Sequence, residues 1–129
     1  MTSISKLLFG ANEPNDHLRY AKRAHRRPIV VWNVTPRCNL SCSHCYASNH
    51  VGADRVLDGD EARAVIDDLA GWGVPVLLFS GGEPFCREDI RELSEYAKSR
   101  GLRVTFSTNG TLIDAAAADW LASFGTGYV

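Results

Sequence analysis

From residue 28 onward the chain changes its hydrophobic period again and again. Ile29-Val30-Val31-Trp32-Asn33-Val34 is a short, β-branched, apolar run and predicts a buried strand. A polar, cysteine-bearing loop follows. Asp58 then stands three residues before Glu61, the spacing of a capping box. Beyond it Ala62, Val65, Ile66 and Leu69 recur at helical period, and Gly71 and Gly73 are expected to end that helix. The unit then repeats. Val74 to Phe79 predicts a second strand, Ser80-Gly81-Gly82-Glu83-Pro84 a turn, and Glu88 to Arg100 a helix burying Ile90, Leu93 and Ala97, with Gly101 as its stop. Leu102 to Phe106 predicts a third strand and Ser107-Thr108-Asn109-Gly110-Thr111 a turn. Asp114 caps a third helix with Trp120, Leu121 and Phe124 inward, stopped by Gly125.

Strand, loop and helix in that order, three times over, predict an α/β fold of parallel strands joined by crossover helices. Each notable loop follows a strand and precedes a helix. All of them therefore belong at the C-terminal edge of the sheet, where such folds place their sites. Tyr128-Val129 would open a fourth strand, so the end reads as a cut through a larger barrel-like domain. The expected organisation is a basic segment over residues 1–27 and an incomplete core domain over residues 28–129. A three-stranded sheet has an open edge, so the chain alone is expected to be inactive and prone to aggregate.

Charge narrows the function. With 14 Lys+Arg against 15 Asp+Glu the net charge is −1, which argues against a nucleic-acid-binding protein. The longest apolar runs fall far short of a membrane span, and the first residues lack the apolar core of a secretory signal. A cytoplasmic setting is expected. The local exception is Arg19, Lys22, Arg23, Arg26 and Arg27, close together around a short helix expected from His17 to His25 with Asp16 as its cap. This is either a solvated basic face or a docking surface for an anion.

Three of the four cysteines, Cys38, Cys42 and Cys45, fall within eight residues. In a reducing compartment such a group binds metal rather than forming disulfides. The spacing is C-x3-C-x2-C, whereas structural zinc favours paired C-x2-C knuckles and four ligands. Three thiolates on one loop suit a soft metal or an iron–sulfur cluster, and a four-iron cluster so held keeps one iron open for a small molecule. The alternative is a closed structural site with a remote fourth ligand. In the second loop, Gly81 and Gly82 permit close approach of a ligand to the backbone, Glu83 offers a carboxylate to an ammonium group, and Pro84 fixes the turn. Taken alone, the segment reads rather as an ordinary strand-to-helix turn, and its place beside the cysteine loop is what favours a site. In the third, Ser107, Thr108 and Asn109 suit a sugar or carboxylate, or a plain Asx-turn.

These three motifs in this order resemble the radical S-adenosylmethionine enzymes, over residues 28–129. The resemblance implies part of a (β/α)6 barrel. It implies a 4Fe-4S cluster on Cys38, Cys42 and Cys45, and S-adenosylmethionine as the second cofactor. His44 would lie by the adenine, Gly81, Gly82, Glu83 and Pro84 would receive the methionine amino group, and Ser107 and Asn109 would frame cofactor and substrate. The implied reaction is one-electron cleavage of the sulfonium to a 5′-deoxyadenosyl radical, which takes hydrogen from the substrate. A reductant such as flavodoxin or ferredoxin would supply the electron.

Ile4 to Gly10, Leu18-Arg19-Tyr20 and Pro28 to Asn33 further resemble the tetrapyrrole-modifying members, above all the didecarboxysiroheme deacetylases of the siroheme-dependent haem route. This implies side-chain removal on an anionic iron tetrapyrrole, for which the basic run is suited. A peptide-modifying or enzyme-maturing activity, and a structural metal module, are the alternatives. Cys86 lies outside the core motif and reads as a small buried side chain near the same edge. His25 and His50 read as surface residues, Trp32 and Trp72 as packing, and Tyr46 as a cover or wedge for the cysteine loop.

Overall fold

A computed structural model describes residues 27–46, 55–126 and 129. The basic helix expected at His17 to His25, the motifs at Ile4 to Gly10 and Leu18 to Tyr20, His50, and the strand expected to open at Tyr128 lie outside the described residues.

Strand β1 (Val30–Thr35) is followed by helix α1 (Gly59–Trp72), strand β2 (Val76–Gly81), a 3-10 turn (Pro84–Cys86), helix α2 (Ile90–Ser99), strand β3 (Arg103–Phe106) and helix α3 (Ala115–Phe124). The three strands form one sheet in the order β1-β2-β3, and both pairings are parallel. The expected α/β class and parallel sheet hold. Trp32, Phe79 and Phe106 stand in register across the sheet, and Phe79 packs 5.9 Å from Trp32 and 6.0 Å from Phe106. Leu77, Phe79, Val104 and Phe106 share one core with Ile66, Leu93, Ala97, Leu121 and Phe124. Removing a side chain such as the fully buried Phe79 costs about 3–5 kcal/mol, from lost transfer energy and the cavity left behind.

The helix ends follow the cap signals closely. Asp58 accepts from the backbone N–H groups of Asp60 and Glu61, and Glu61 accepts from that of Asp58, completing the capping box. Asp114 caps α3 through the N–H of Ala117 at 2.7 Å.

Two strands start later than expected, for one shared reason. Gly73, the cap of α1, and Gly101, one residue beyond the Arg100 cap of α2, are left-handed, and the residue after each bonds back into its helix: Val74 N–H to Leu69 O at 3.0 Å, Leu102 N–H to Ala97 O at 3.1 Å. This is the Schellman arrangement, in which the apolar residue after the glycine packs on the helix rather than opening the strand. The α1 helix also runs through Gly71, leaving Gly73 as its only stop. Helix α2 begins at Ile90, not Glu88. Asp89 makes no capping bond because Arg87 holds its carboxylate at 2.6 and 2.9 Å. Trp32 is half-buried core packing as expected, whereas Trp72 is exposed, with the Arg27 guanidinium 5.6 Å above its ring.

Candidate functional site

The parallel sheet carries its three strand-end loops to one edge, and hydrogen bonds tie them there. The first to be fixed is the entry to the cysteine loop. Gly82 N–H donates to Thr35 O at 2.8 Å and Glu83 N–H to Arg37 O at 2.7 Å, so the β2 turn pairs with the chain leaving β1. The contact is too close for a side chain. A Cβ on Gly81 would stand 2.3 Å from Thr35 O, and one on Gly82 2.4 Å from Arg37 O. Gly81 also has φ +131°, where L side chains are strained. The sequence suggested glycines that admit a ligand. The close partner in the structure is the protein's own backbone at residues 35–37.

Glu83 departs from expectation in a related way. Its side chain is fully buried rather than offered to solvent. It accepts from Phe85 N–H at 3.0 Å, Thr108 Oγ1 at 2.7 Å and Asn109 N–H at 2.7 Å. A carboxylate has about four acceptor positions, so one remains for another donor. Glu83 thus binds the third loop to the second. Pro84 is buried at the first position of the 3-10 turn, where a missing N–H matters least.

The third loop reaches the cysteines. Asn109 makes the Asx-turn, its Oδ1 accepting from Thr111 N–H at 2.9 Å, and its Nδ2 extends to Asn39 Oδ1 at 3.0 Å and Cys38 Sγ at 3.8 Å. The Asx-turn reading of that asparagine therefore holds, and its amide nitrogen is spent on the cysteine loop. Thr108 turns its hydroxyl to Glu83 and accepts from Gly110 N–H. Ser107 is exposed, and its N–H extends the sheet to Phe79 O at 2.9 Å. Asn39 and Thr111 join the site although sequence reasoning gave them no role. The signal for Asn39 was only its place inside the cysteine spacing. That for Thr111 was the Asx-turn pattern around Asn109-Gly110.

Cys38 and Cys42 are exposed and Cys45 is half-buried, and no disulfide joins the four cysteines. Cys45 N–H closes a turn on Cys42 O at 3.2 Å, and His44 between them is exposed. Three thiols within eight residues, two of them on exposed residues, fit a soft-metal or cluster centre by their donor chemistry. Among the described residues no three His, Cys, Asp or Glu side chains already converge as ligands. Final closure of such sites accompanies binding. Cys86 lies on the same edge as expected. Burial first, then the nearby Glu83 and Cys38, push its thiol above the ordinary cysteine range. A cavity of about 360 Å³ opens beside the loop, between Trp32, Asn33, Thr35, Tyr46, Gly81 and Gly82. Arg55 and Val56 also line it, and Arg55 pairs with Glu61. Tyr46 is exposed on this wall.

A parallel α/β sheet with a three-cysteine loop clamped at its C-terminal edge has the layout of an α/β enzyme core whose site lies at the strand ends. The Radical SAM superfamily model matches residues 32–129, and the chain belongs to that family. The described units agree with part of the expected barrel. Its relatives include an Fe-coproporphyrin III synthase of Methanosarcina barkeri, 46% identical over 100% of this chain and 36% of that protein. A pre-heme d1 synthase of Dinoroseobacter shibae is 40% identical over 83% of this chain and 27% of its own length. An AdoMet-dependent heme synthase of Nitratidesulfovibrio vulgaris is 44% identical over 66% and 23%. The chain thus spans about a third or less of the length of these curated relatives.

Proposed function

We propose that the chain supplies the cluster- and cofactor-binding edge of a radical S-adenosylmethionine enzyme that removes side chains from an anionic iron tetrapyrrole, of the didecarboxysiroheme kind, in haem formation. The observation that carries this reading is the clamp of the Gly81-Gly82-Glu83-Pro84 turn on the entry to the cysteine loop. Relatives named for iron coproporphyrin, haem and haem d1 synthesis support the substrate class.

Cys38, Cys42 and Cys45 would hold a 4Fe-4S cluster, with S-adenosylmethionine bound alongside. Together these cofactors supply the one-electron cleavage that starts hydrogen abstraction. The residues of this chain bind and orient. The glycine clamp fixes where the loop leaves β1. Gly81 and Gly82 also form the wall of the 360 Å³ cavity, so their backbone faces the space where the methionine end would lie. Glu83 sets negative charge behind that wall and holds Thr108 and Asn109 in place. His44 and Tyr46 flank the last cysteine and would cover the adenine side. Ser107 would frame the cofactor. The basic run Arg19 to Arg27 would meet substrate carboxylates, and a flavodoxin- or ferredoxin-type reductant in the cytoplasm would deliver the electron. No described helix is long and apolar enough to cross a membrane.

The test is anaerobic reconstitution of the intact protein with iron and sulfide, followed by S-adenosylmethionine, a strong reductant and didecarboxysiroheme. The expected result is about four irons on the three cysteines, an EPR signal that changes with S-adenosylmethionine, 5′-deoxyadenosine, and a tetrapyrrole lighter by its lost side chains. Stoichiometric zinc without nucleotide cleavage would refute the enzyme reading. Cleavage with an unaltered tetrapyrrole would refute the substrate.

A further inference from the structure

The strand-end loops contain a closed ring of side-chain hydrogen bonds. Asn109 Nδ2 donates to Asn39 Oδ1 at 3.0 Å, Asn39 Nδ2 to Thr111 Oγ1 at 2.7 Å, and Thr111 Oγ1 to Asn109 Oδ1 at 2.6 Å. The amide orientation within the ring follows from chemistry. Thr111 N–H lies 2.9 Å from the Asn109 amide and can only donate, so the atom facing it is the oxygen. The nitrogen is thereby turned toward the cysteine loop. One of its hydrogens goes to Asn39. Its other contact is Cys38 Sγ at 3.8 Å, within reach for the large sulfur atom. The same sulfur accepts from Leu40 N–H at 3.4 Å. Glu83 anchors the assembly from below through Asn109 N–H at 2.7 Å.

We propose that Asn109 is a positioning residue that aims an N–H donor at the Cys38 sulfur and so sets the reduction potential of the cluster this loop carries, with Thr111 and Asn39 fixing its direction. The inference rests on the function proposed above. Donors to a cluster thiolate offset the negative charge added on reduction and raise the potential. Losing the donor makes the cluster harder to reduce. Ring closure matters because each member donates in one sense only. Removing the Thr111 hydroxyl leaves Thr111 N–H on Asn109 Oδ1 but takes away the hydroxyl bond to that oxygen and the acceptor of Asn39 Nδ2, so the ring opens and the amide is held by fewer bonds. The ring also ties the chemistry of the third loop to a residue, Asn39, that lies between two of the ligands.

The experiment is a redox titration of the intact, reconstituted protein and its variants, following the EPR signal that shifts on adding S-adenosylmethionine. Asn109→Leu and Thr111→Val are both uncharged, so neither moves the potential through net charge. The expected result is a midpoint more negative than wild type in both, larger for Asn109→Leu, with iron content unchanged in Thr111→Val. A purely structural role would leave the midpoint of the loaded protein unmoved. Midpoints equal to wild type in both variants overturn the inference while leaving the enzyme reading intact. A wild-type protein that takes up no reducible cluster defeats the enzyme reading itself. If Asn109→Leu fails to load, Thr111→Val decides: a negative shift supports the inference and an unchanged midpoint overturns it.

Discussion

Replacing Gly82 by alanine tests whether the clamp organises the site. Gly82 is not among the glycines with positive φ, so the substitution meets no backbone strain and only the contact matters. The new Cβ would lie 2.4 Å from Arg37 O, 2.6 Å from Pro36 O and 2.7 Å from Arg37 C. All three atoms are backbone and none can rotate aside. Segment 35–37 must back away, and both bonds that hold it, at 2.8 and 2.7 Å, stretch with the move. Overpacking of this kind costs roughly 1–3 kcal/mol, and a buried donor left without its acceptor about 1–3 kcal/mol more. The expected loss is roughly 2–6 kcal/mol, against a total stability of about 5–15 kcal/mol for an ordinary domain. Urea denaturation of the intact protein measures the loss, and iron loading after reconstitution shows whether the cysteine loop moved with it. Gly71→Ala is the matched control. That glycine lies in α1, exposed, with nothing within 4 Å of an added Cβ, and the change should stabilise by about 0.4–1 kcal/mol. If Gly82→Ala unfolds within about 1 kcal/mol of wild type and binds as much iron, the clamp is not what holds the loop.

Glu83→Gln replaces an acceptor oxygen with an amide that must face Phe85 N–H and Thr108, or Asn109 N–H. At least one buried donor then meets a donor, and denaturation should show a loss of about 1–3 kcal/mol. The Asp89 carboxyl is held below its ordinary range, first by its hydrogen bond to Arg87, with burial opposing. A depressed folded value means the stabilisation is present above the unfolded pKa of about 3.9 and is lost as pH falls through the folded value. Asp89→Asn should therefore flatten the acid limb of the stability curve below about pH 4, and an unchanged limb would contradict the pairing. The Cys86 thiol, raised chiefly by burial, should alkylate more slowly at neutral pH than the exposed Cys38 and Cys42, as read by mass spectrometry of briefly treated apoprotein. Cys86→Ala should keep the full iron complement, and cluster loss would make it a ligand.

Much of the fold was written in short-range signals. The capping box at Asp58 and Glu61, the cap at Asp114 and the glycine stops at 73, 101 and 125 are local chemistry, and each appears where the residues place it. The meeting of the three loops followed from strand direction alone. The strand starts were misplaced because a Schellman closure takes one apolar residue from the strand side, and Val74 and Leu102 look like strand residues in any local window. The site was legible as a set of positions but not as a set of contacts. Two adjacent glycines announce a close approach without saying what approaches, and here it is backbone more than forty residues earlier. Glu83 looked available because its partners, Thr108 and Asn109, lie across the α2 crossover, 25 and 26 residues on. Asn39 carried no signal beyond its place inside the cysteine spacing, since its partner amide sits 70 residues on.

The three cysteines are therefore not equivalent before any metal arrives. Ordering a loop residue costs about 1–2 kcal/mol of backbone entropy, and the two clamps remove that cost unevenly. The entry is fixed by Gly82 and Glu83 at residues 35–37, and Asn39 is fixed by the side-chain ring, so Cys38 stands between two anchored neighbours. Cys42 and Cys45 are joined to each other by a turn bond beyond exposed Leu40 and Ser41. Ligation would then begin at the preplaced Cys38 sulfur and close over the later half of the loop. That division gives the β2 and β3 turns a shared purpose that neither shows alone. Their polar groups point at one another and at the start of the cysteine loop, and the face left open is backbone and cavity wall. Breaking the Gly82 and Glu83 bonds to residues 35–37 should thus weaken metal uptake without touching a thiol.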